Sequence, residues 1–373
     1  MTDLAKLLAD LVAIESVNPV FGGPGEAELS AWVEAWLRRT GADVTVQEVH
    51  PGRNNVIAVI DSGSGPALLL DSHLDTVSAD TWAVGDPFRP EVRGGRLFGR
   101  GSCDTKASMA VFLYLIAHYA SSPTHLSRPL VFSATIDEED RQTGAYRLLD
   151  HDFGVEIGAA VAGEPTLCRL IHAHKGLIRF QLEARGRAAH ASNPALGDNA
   201  IARMGRVLGR LAALIDDFGR RAGHPRLGQP TLSPGTIRGG TAVNVVPDRC
   251  LLELDRRLIP GETADGAVEE ILALLDGEPD LVLTRHYDRP ALDTPADSPF
   301  VQEFGKAIQA GGRDARPQVA GYLTNAVAFV ERGIPSIVFG PGDATLAHTD
   351  HEYVDLAELG AAGSILRQFL DKK

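Results

Sequence analysis

Short apolar runs recur along this chain, and each stops at polar residues able to bind a metal or move a proton. The runs 67-ALLLD-71, 129-PLVFSA-134 and 336-SIVFG-340 are too short for buried helices and lack the alternation of a half-wet strand. They read as strands covered on both faces, the first over 67–72 and the second over 129–136. Further strands are expected at 43–49, 55–61, 158–163 and 168–174, and helical patterns run over 3–16, 25–40, 106–120 and 142–150. Strand and helix in alternation build an α/β fold: a mixed, largely parallel sheet flanked by helices.

From Gly176 the pattern changes. The strand 177-LIRFQLEARG-186, a long helix near 199–218, strands near 231–238 and 249–257 and a helix near 263–276 make a compact α+β unit. The remainder returns to helix and short apolar strand and closes on a helix near 355–371. The expected organisation is one domain formed by residues 1–175 and 287–373, interrupted by an inserted domain at 176–286.

Bulk composition excludes several classes of function. With 36 basic and 49 acidic side chains the net charge is −13, so no basic surplus is present to neutralise nucleic-acid phosphates or an anionic membrane. The arginines between Arg206 and Arg221 read as the wet face of a helix. Apolar segments such as 109-MAVFLYLIA-117 are too short to span a bilayer, and the acidic amphipathic start does not resemble a signal peptide, which points to the cytoplasm. Cys103, Cys168 and Cys250 are too few and too scattered for a disulfide framework or a cysteine zinc site.

The candidate chemistry sits where the strands end. His73 and Asp75 are two residues apart and share a strand face, so the carboxylate could orient a metal-bound imidazole. Asp104 lies in the Gly-rich turn 99-GRGSCDTKAS-108; Asp137, Glu138, Glu139 and Asp140 follow an apolar strand; Glu164 follows another in 163-GEPT-166; His348 stands in 347-AHTDHEYV-354. Singly, each has an ordinary explanation: a surface pair, a helix cap, a solvated turn. Together they gather metal-type ligands at the edge where open α/β folds collect their sites. Two histidines with several carboxylates and no cysteine suit zinc or another divalent first-row ion. Two Zn²⁺ ions balanced by Asp104, Glu139, Glu164 and one hydroxide would make a neutral cluster beside Glu138.

In this order, the motifs SHLDTV, GRGSCDTKAS, DEE, GEPT, GRAAHASNP, GTIRGGTAVNVVPD, DRRLIPGE and FGPGDATLAH resemble one family. It is the di-zinc metallopeptidase family of acetylornithine deacetylase, succinyl-diaminopimelate desuccinylase, carboxypeptidase G and aminoacylase. The resemblance implies a zinc-exopeptidase-like catalytic domain with His73 and Glu164 on one zinc, Glu139 and His348 on the other, and Asp104 bridging. It implies that Asp75 orients His73 and that Glu138 is the catalytic acid/base. The insert then resembles the family's lid and dimerisation domain, with His190 reaching a partner's active site to bind the reaction oxyanion. Arg257 corresponds to the arginine that holds a substrate carboxylate, Asn244 to a polar contact nearby, and Thr324 to a residue beside the substrate pocket. Arg256, on the other strand face, reads as structural.

Thr105-Lys106-Ala107, Leu323-Thr324-Asn325 and Asp350-His351-Glu352 depart from the family's commoner residues without removing a ligand. The implied protein is a homodimeric hydrolase with two Zn²⁺ per subunit, replaceable by Co²⁺, that cleaves the amide bond of an N-acyl amino acid. A dipeptidase or carboxypeptidase using the same metal site is the enzymatic alternative. A catalytically silent amino-acid-binding protein is the other, although such a protein needs no Glu138. The chain carries no G-x-S-x-G elbow, Walker-type loop or complete G-x-G-x-x-G.

Overall fold

The computed structural model describes residues 3–83 and 85–372. The chain forms two compact units. The first comprises residues up to Ala173 with Thr294–Gln318 and the segment from Thr324 onward; the second comprises His174–Asp293 with Val319–Leu323.

The first unit is built on a mixed sheet. Six of its strands lie in the order Asp43–His50, Arg53–Ile60, Leu130–Thr135, Ala67–His73, Ile157–Ala162 and Ser336–Val338. The last four pair in parallel, while Arg53–Ile60 joins both of its neighbours antiparallel. Alternate side chains of each inner strand enter different cores, as a period of two requires. Leu68, Leu70, Leu130 and Phe132 pack with the helices Asp3–Val12, Lys106–Ser121 and Leu356–Leu370, whereas Ala67, Leu69 and Val131 pack with Ala328 and Phe329 of the helix Ala326–Glu331. Lys106–Ser121 lies under this layer and is buried nearly all round. At roughly 1.5–3 kcal/mol for each fully buried large apolar side chain, the two layers fix the sheet firmly beneath the loops at its end.

The first helix stops at Val12, short of the expected 16. Asn18 precedes Pro19 and takes an extended conformation, ψ 138°. Its N–H donates to the Thr76 carbonyl, and the Thr76 N–H donates to the Ser16 carbonyl. This segment therefore pairs with the chain beyond His73 instead of completing a helix.

The second unit is an antiparallel sheet in the order Thr231–Gly239, Arg249–Leu258, Gly176–Arg185, Leu281–Arg289. The helices Ala200–Phe218 and Ala264–Leu274 share its core. Ala200, Met204, Val207, Leu211, Leu214 and Phe218 recur at the three- and four-residue spacing of one helix face. Asn199 caps this helix by accepting the Ala202 N–H at 3.0 Å, worth about 1 kcal/mol. On the opposite face Arg206 and Arg210 pair with Glu278. Arg256 is buried against Phe218 and pairs with Glu262. Among the described residues no helix is long and apolar enough to cross a membrane.

Candidate metal centre

Because four parallel strands end on the same sheet edge, the residues that follow them converge. His73 closes Ala67–His73; Glu138 and Glu139 follow Leu130–Thr135; Glu164 follows Ile157–Ala162; His348 lies in the loop after Ser336–Val338. Asp104 joins them from the turn before the helix Lys106–Ser121, and its peptide bond to Thr105 is cis.

Two clusters result, His73–Asp104–Glu164 and Asp104–Glu139–His348, each with its donor atoms within 4.8 Å of one another. Asp104 belongs to both. Its Oδ1 lies 3.2 Å from His73 Nε2 and its Oδ2 lies 3.2 Å from His348 Nε2. Glu139 Oε1 stands 3.2 Å from the same His348 nitrogen, and Glu164 Oε1 stands 3.9 Å from His73 Nε2. The His73 Nδ1–H donates to the Asp75 carbonyl at 2.9 Å, which leaves the Nε2 lone pair directed at the cluster. His348 adopts a left-handed backbone, φ 62°, a conformation uncommon outside glycine and frequent at functional sites.

The electrostatics suit a cation. Burial, then the nearby Asp104, raises the proton affinity of Glu164 and of Glu139. Burial pushes Glu138 up to about 8, with Glu139, Asp75 and Asp104 adding to it against the pull of His73. Burial also works against ionised Asp104, but hydrogen bonds from His348 and His73 outweigh it and hold Asp104 well below the carboxylate range. His348 is pushed up to about 11 by Asp104 and Glu139. Divalent cations among these oxygens would relieve the repulsion, and the donor set of two imidazoles and three carboxylates fits zinc-type ions.

The acidic run at 137–140 divides by partner. Asp137, left-handed at φ 67°, accepts from Arg53, Asn18 and the Thr143 hydroxyl. Glu139 faces His348, while Asp140 stands 3.6 Å from Arg141 near the surface. Glu138 lies beside the cluster and accepts from Gln142 Nε2 at 3.2 Å. Asp75 does more than face His73: its two oxygens accept the backbone N–H groups of Glu138 and Glu139, each at 3.0 Å, and Asn18 donates to it at 2.8 Å. The Asp75 carboxylate is 3.5 Å from His73 Nδ1, farther than its own carbonyl. Asp75 thus fixes the loop that carries both glutamates.

The other expected residues lie elsewhere. His190, Asn244 and Arg257 belong to the second unit. There the loops of the first two are tied by the Ala191 N–H donating to the Asn244 carbonyl. His190 is exposed, and its Nδ1 lies 2.6 Å from the Ser192 hydroxyl and 3.1 Å from the Ser192 backbone nitrogen. Arg257 Nε donates to Asp255 at 2.7 Å. Thr324, in the first unit, is wholly buried, and its hydroxyl accepts the Ala326 N–H.

A family model described as peptidase family M20/M25/M40 matches residues 69–372. The chain belongs to this family. It is similar to the acetylornithine deacetylase of Photorhabdus laumondii, 32% identical over 380 residues that cover 98% of this chain and 96% of that one. It is also similar to the acetylornithine deacetylase of Erwinia tasmaniensis, 33% identical over 344 residues, 89% of this chain and 87% of that one. A tripeptidase from Staphylococcus aureus shares the fold at TM-score 0.83 and 22% identity, covering 98% of this chain and 96% of that one. So does an M20 family metallo-carboxypeptidase from Sulfolobus solfataricus, at TM-score 0.80 and 17% identity with 99% and 98% covered. Membership in M20/M25/M40 makes the protein a metal-dependent amidohydrolase.

Within this M20 chain the segments that hold the departures from the family's commoner residues are tied into the buried structure by side-chain hydrogen bonds. Thr105 Oγ1 donates to the Gly163 carbonyl at 2.6 Å and meets the Ser72 hydroxyl at 2.9 Å. Lys106 is wholly buried, its Nζ donating to the Ile14 carbonyl at 2.7 Å, and burial pulls it down to about 7. Asn325 donates to the buried Asp71. Sequence spacing carries no signal for Asn18, Arg53 or Glu352, whose partners are far along the chain.

Proposed function

We propose that this enzyme hydrolyses the amide bond of an N-acyl amino acid, releasing a carboxylate and a free amino acid, with two Zn²⁺ ions held at the sheet edge. The observation that carries the reading is Asp104, whose two oxygens face two different histidines, each with a further carboxylate at hand. His73 and Glu164 would hold one ion, Glu139 and His348 the other, and Asp104 both. When bound, the ions lower the pKa of a water and polarise the scissile carbonyl. Glu138 takes the proton of the attacking water on its carboxylate and returns it to the departing amine nitrogen, a role that the raised proton affinity of a buried carboxylate suits. Asp75 holds the backbone of Glu138 and Glu139 so that one glutamate faces the reaction and the other the metal.

The second unit is assigned as lid and dimerisation domain. Its His190 would present the Nε2–H to the developing oxyanion, Arg257 would hold the substrate carboxylate and Asn244 would contact the substrate. For Thr324, burial supports a place behind the pocket wall. The acyl-amino-acid substrate rests on the likeness to acetylornithine deacetylases at about a third identity. The dipeptidase reading differs only in the acyl group.

Both readings are tested together. Chelation should abolish turnover and Zn²⁺ or Co²⁺ should restore it; full turnover by metal-free protein would overturn the metal mechanism. Reloaded enzyme should cleave N-acetyl or N-succinyl amino acids faster than dipeptides carrying the same C-terminal residue. The opposite order would make it a dipeptidase.

A further inference from the structure

We propose that Glu352 is a positioning residue for the metal centre, a staple that sets Asp104 and His348 at their mutual distance. The inference rests on the reading of Asp104 and His348 as metal ligands.

Glu352 is wholly buried and all four acceptor directions of its carboxylate are used. Oε1 accepts the backbone N–H of Cys103 at 2.7 Å and of Asp104 at 3.0 Å. Oε2 accepts the Gly101 N–H at 3.0 Å and Arg100 Nη1 at 2.6 Å. Three converging backbone N–H groups make an anion-binding turn, and the anion it holds is a side chain of the protein itself. Arg100, equally buried, is fixed in turn by donating through Nε to the Ser78 carbonyl at 3.2 Å and through Nη2 to the Thr349 carbonyl at 3.1 Å. The Glu352 carbonyl accepts the Gly99 N–H at 3.2 Å.

Asp104 and His348 are 244 positions apart, so nothing local relates them. Glu352 and Thr349 follow His348 closely, while Arg100, Gly101 and Cys103 lead directly into Asp104. The Arg100–Glu352 staple is therefore a direct tie between the segment carrying one imidazole and the turn carrying the shared carboxylate. It acts as Asp75 does on the loop of Glu138 and Glu139. Two buried carboxylates, neither in a candidate cluster, each hold the backbone of a ligand-bearing loop.

The geometry makes one substitution diagnostic. Each oxygen of Glu352 accepts two donors, so Glu352→Gln must turn its NH₂ group against two of them. Glu352→Asp keeps both acceptors but draws them back by one methylene. Ligand-orienting partners outside the coordination sphere typically change metal affinity by roughly 10–100-fold.

The experiment titrates metal-free protein with Co²⁺ against a competing chelator, well below the melting temperature, following both the equivalents bound and the visible absorption. Glu352→Gln is expected to weaken Co²⁺ binding about 10–100-fold, with an altered absorption envelope, and Glu352→Asp to recover part of the loss. Leu366→Ala, in the core away from the site, serves as the stability-matched control and should bind as the wild type does. If Glu352→Gln does not fold, Glu352→Asp decides alone: affinity weaker than that of the control supports the staple, and equal affinity overturns it. Asp104→Asn separates this inference from the reading beneath it. Loss of Co²⁺ binding in Asp104→Asn with none in Glu352→Gln overturns only the staple, whereas wild-type binding in Asp104→Asn overturns the ligand assignment.

Discussion

At the scale of single residues, Glu138 and Glu139 are chemically identical neighbours with different surroundings. Asp75 pins the backbone N–H of both, and the chain then directs Glu139 toward His348 and leaves Glu138 without an ion pair among those found for the described residues. Glu138→Ala should therefore retain its metal content and lose roughly 10²–10⁴ in kcat, the usual size of a general acid/base contribution. Glu139→Ala should lose metal. Elemental analysis with the reverse pattern would show the two glutamates to be assigned the wrong way round. Residue identity and strand-end position were enough to nominate the candidate ligands, since His and carboxylate side chains at the ends of buried strands are costly unless something uses them. The sequence did not reveal that Asp137 of the same run belongs to Arg53, or that Asp75 holds backbone N–H groups. Those partners lie 84 and 63 or more positions away, and only the fold brings them together.

At the scale of elements, hydrophobic period carried most of the information. The buried strand Ala67–His73 and the helix Lys106–Ser121 fall within a residue of their expected bounds, because continuous apolar runs leave little freedom over where burial starts. The N-terminal helix ran short for a reason that periodicity cannot express, namely the pairing of 16–18 with Thr76. His174 ends the strand Ile171–His174 wholly buried, and burial pulls it from 6.5 down to about 4. Its Nδ1–H donates to the Lys175 carbonyl at 2.9 Å. Between these two pH values the unfolded chain binds a proton that the folded chain refuses, so stability falls as pH drops through the window, by roughly 3 kcal/mol when complete. Above 6.5 the cost is absent. His174→Asn keeps a donor for that carbonyl and cannot titrate. Its stability deficit against wild type, from urea unfolding at pH 7 and pH 4.5, should therefore shrink by about 2 kcal/mol. A deficit that does not change with pH would show that His174 titrates alike in both states.

At the scale of the whole molecule, the residues proposed for the chemistry are divided between two units. All five candidate ligands, Glu138 and the Asp75 and Glu352 clamps belong to the first; His190, Asn244 and Arg257 belong to the second. A rigid sheet edge suits metal ligation because the ligands' distances must hold within tenths of an ångström, while groups that meet only the substrate can be carried on a separate body. If His190 acts on the oxyanion, it serves either its own chain or a second copy. His190→Ala should keep its metals and lose about 10²–10³ in kcat for one oxyanion contact. Mixing it with Glu138→Ala under conditions that exchange subunits separates the two cases. In a mixed dimer acting across subunits, the site on the His190→Ala chain has its own Glu138 and takes His190 from the Glu138→Ala chain, so that site is whole. If His190 serves its own chain, neither site in the mixture has both groups. Activity that appears on mixing therefore establishes a shared site and a functional dimer. Heterodimers confirmed by differential tagging that remain inactive would instead assign His190 to its own chain.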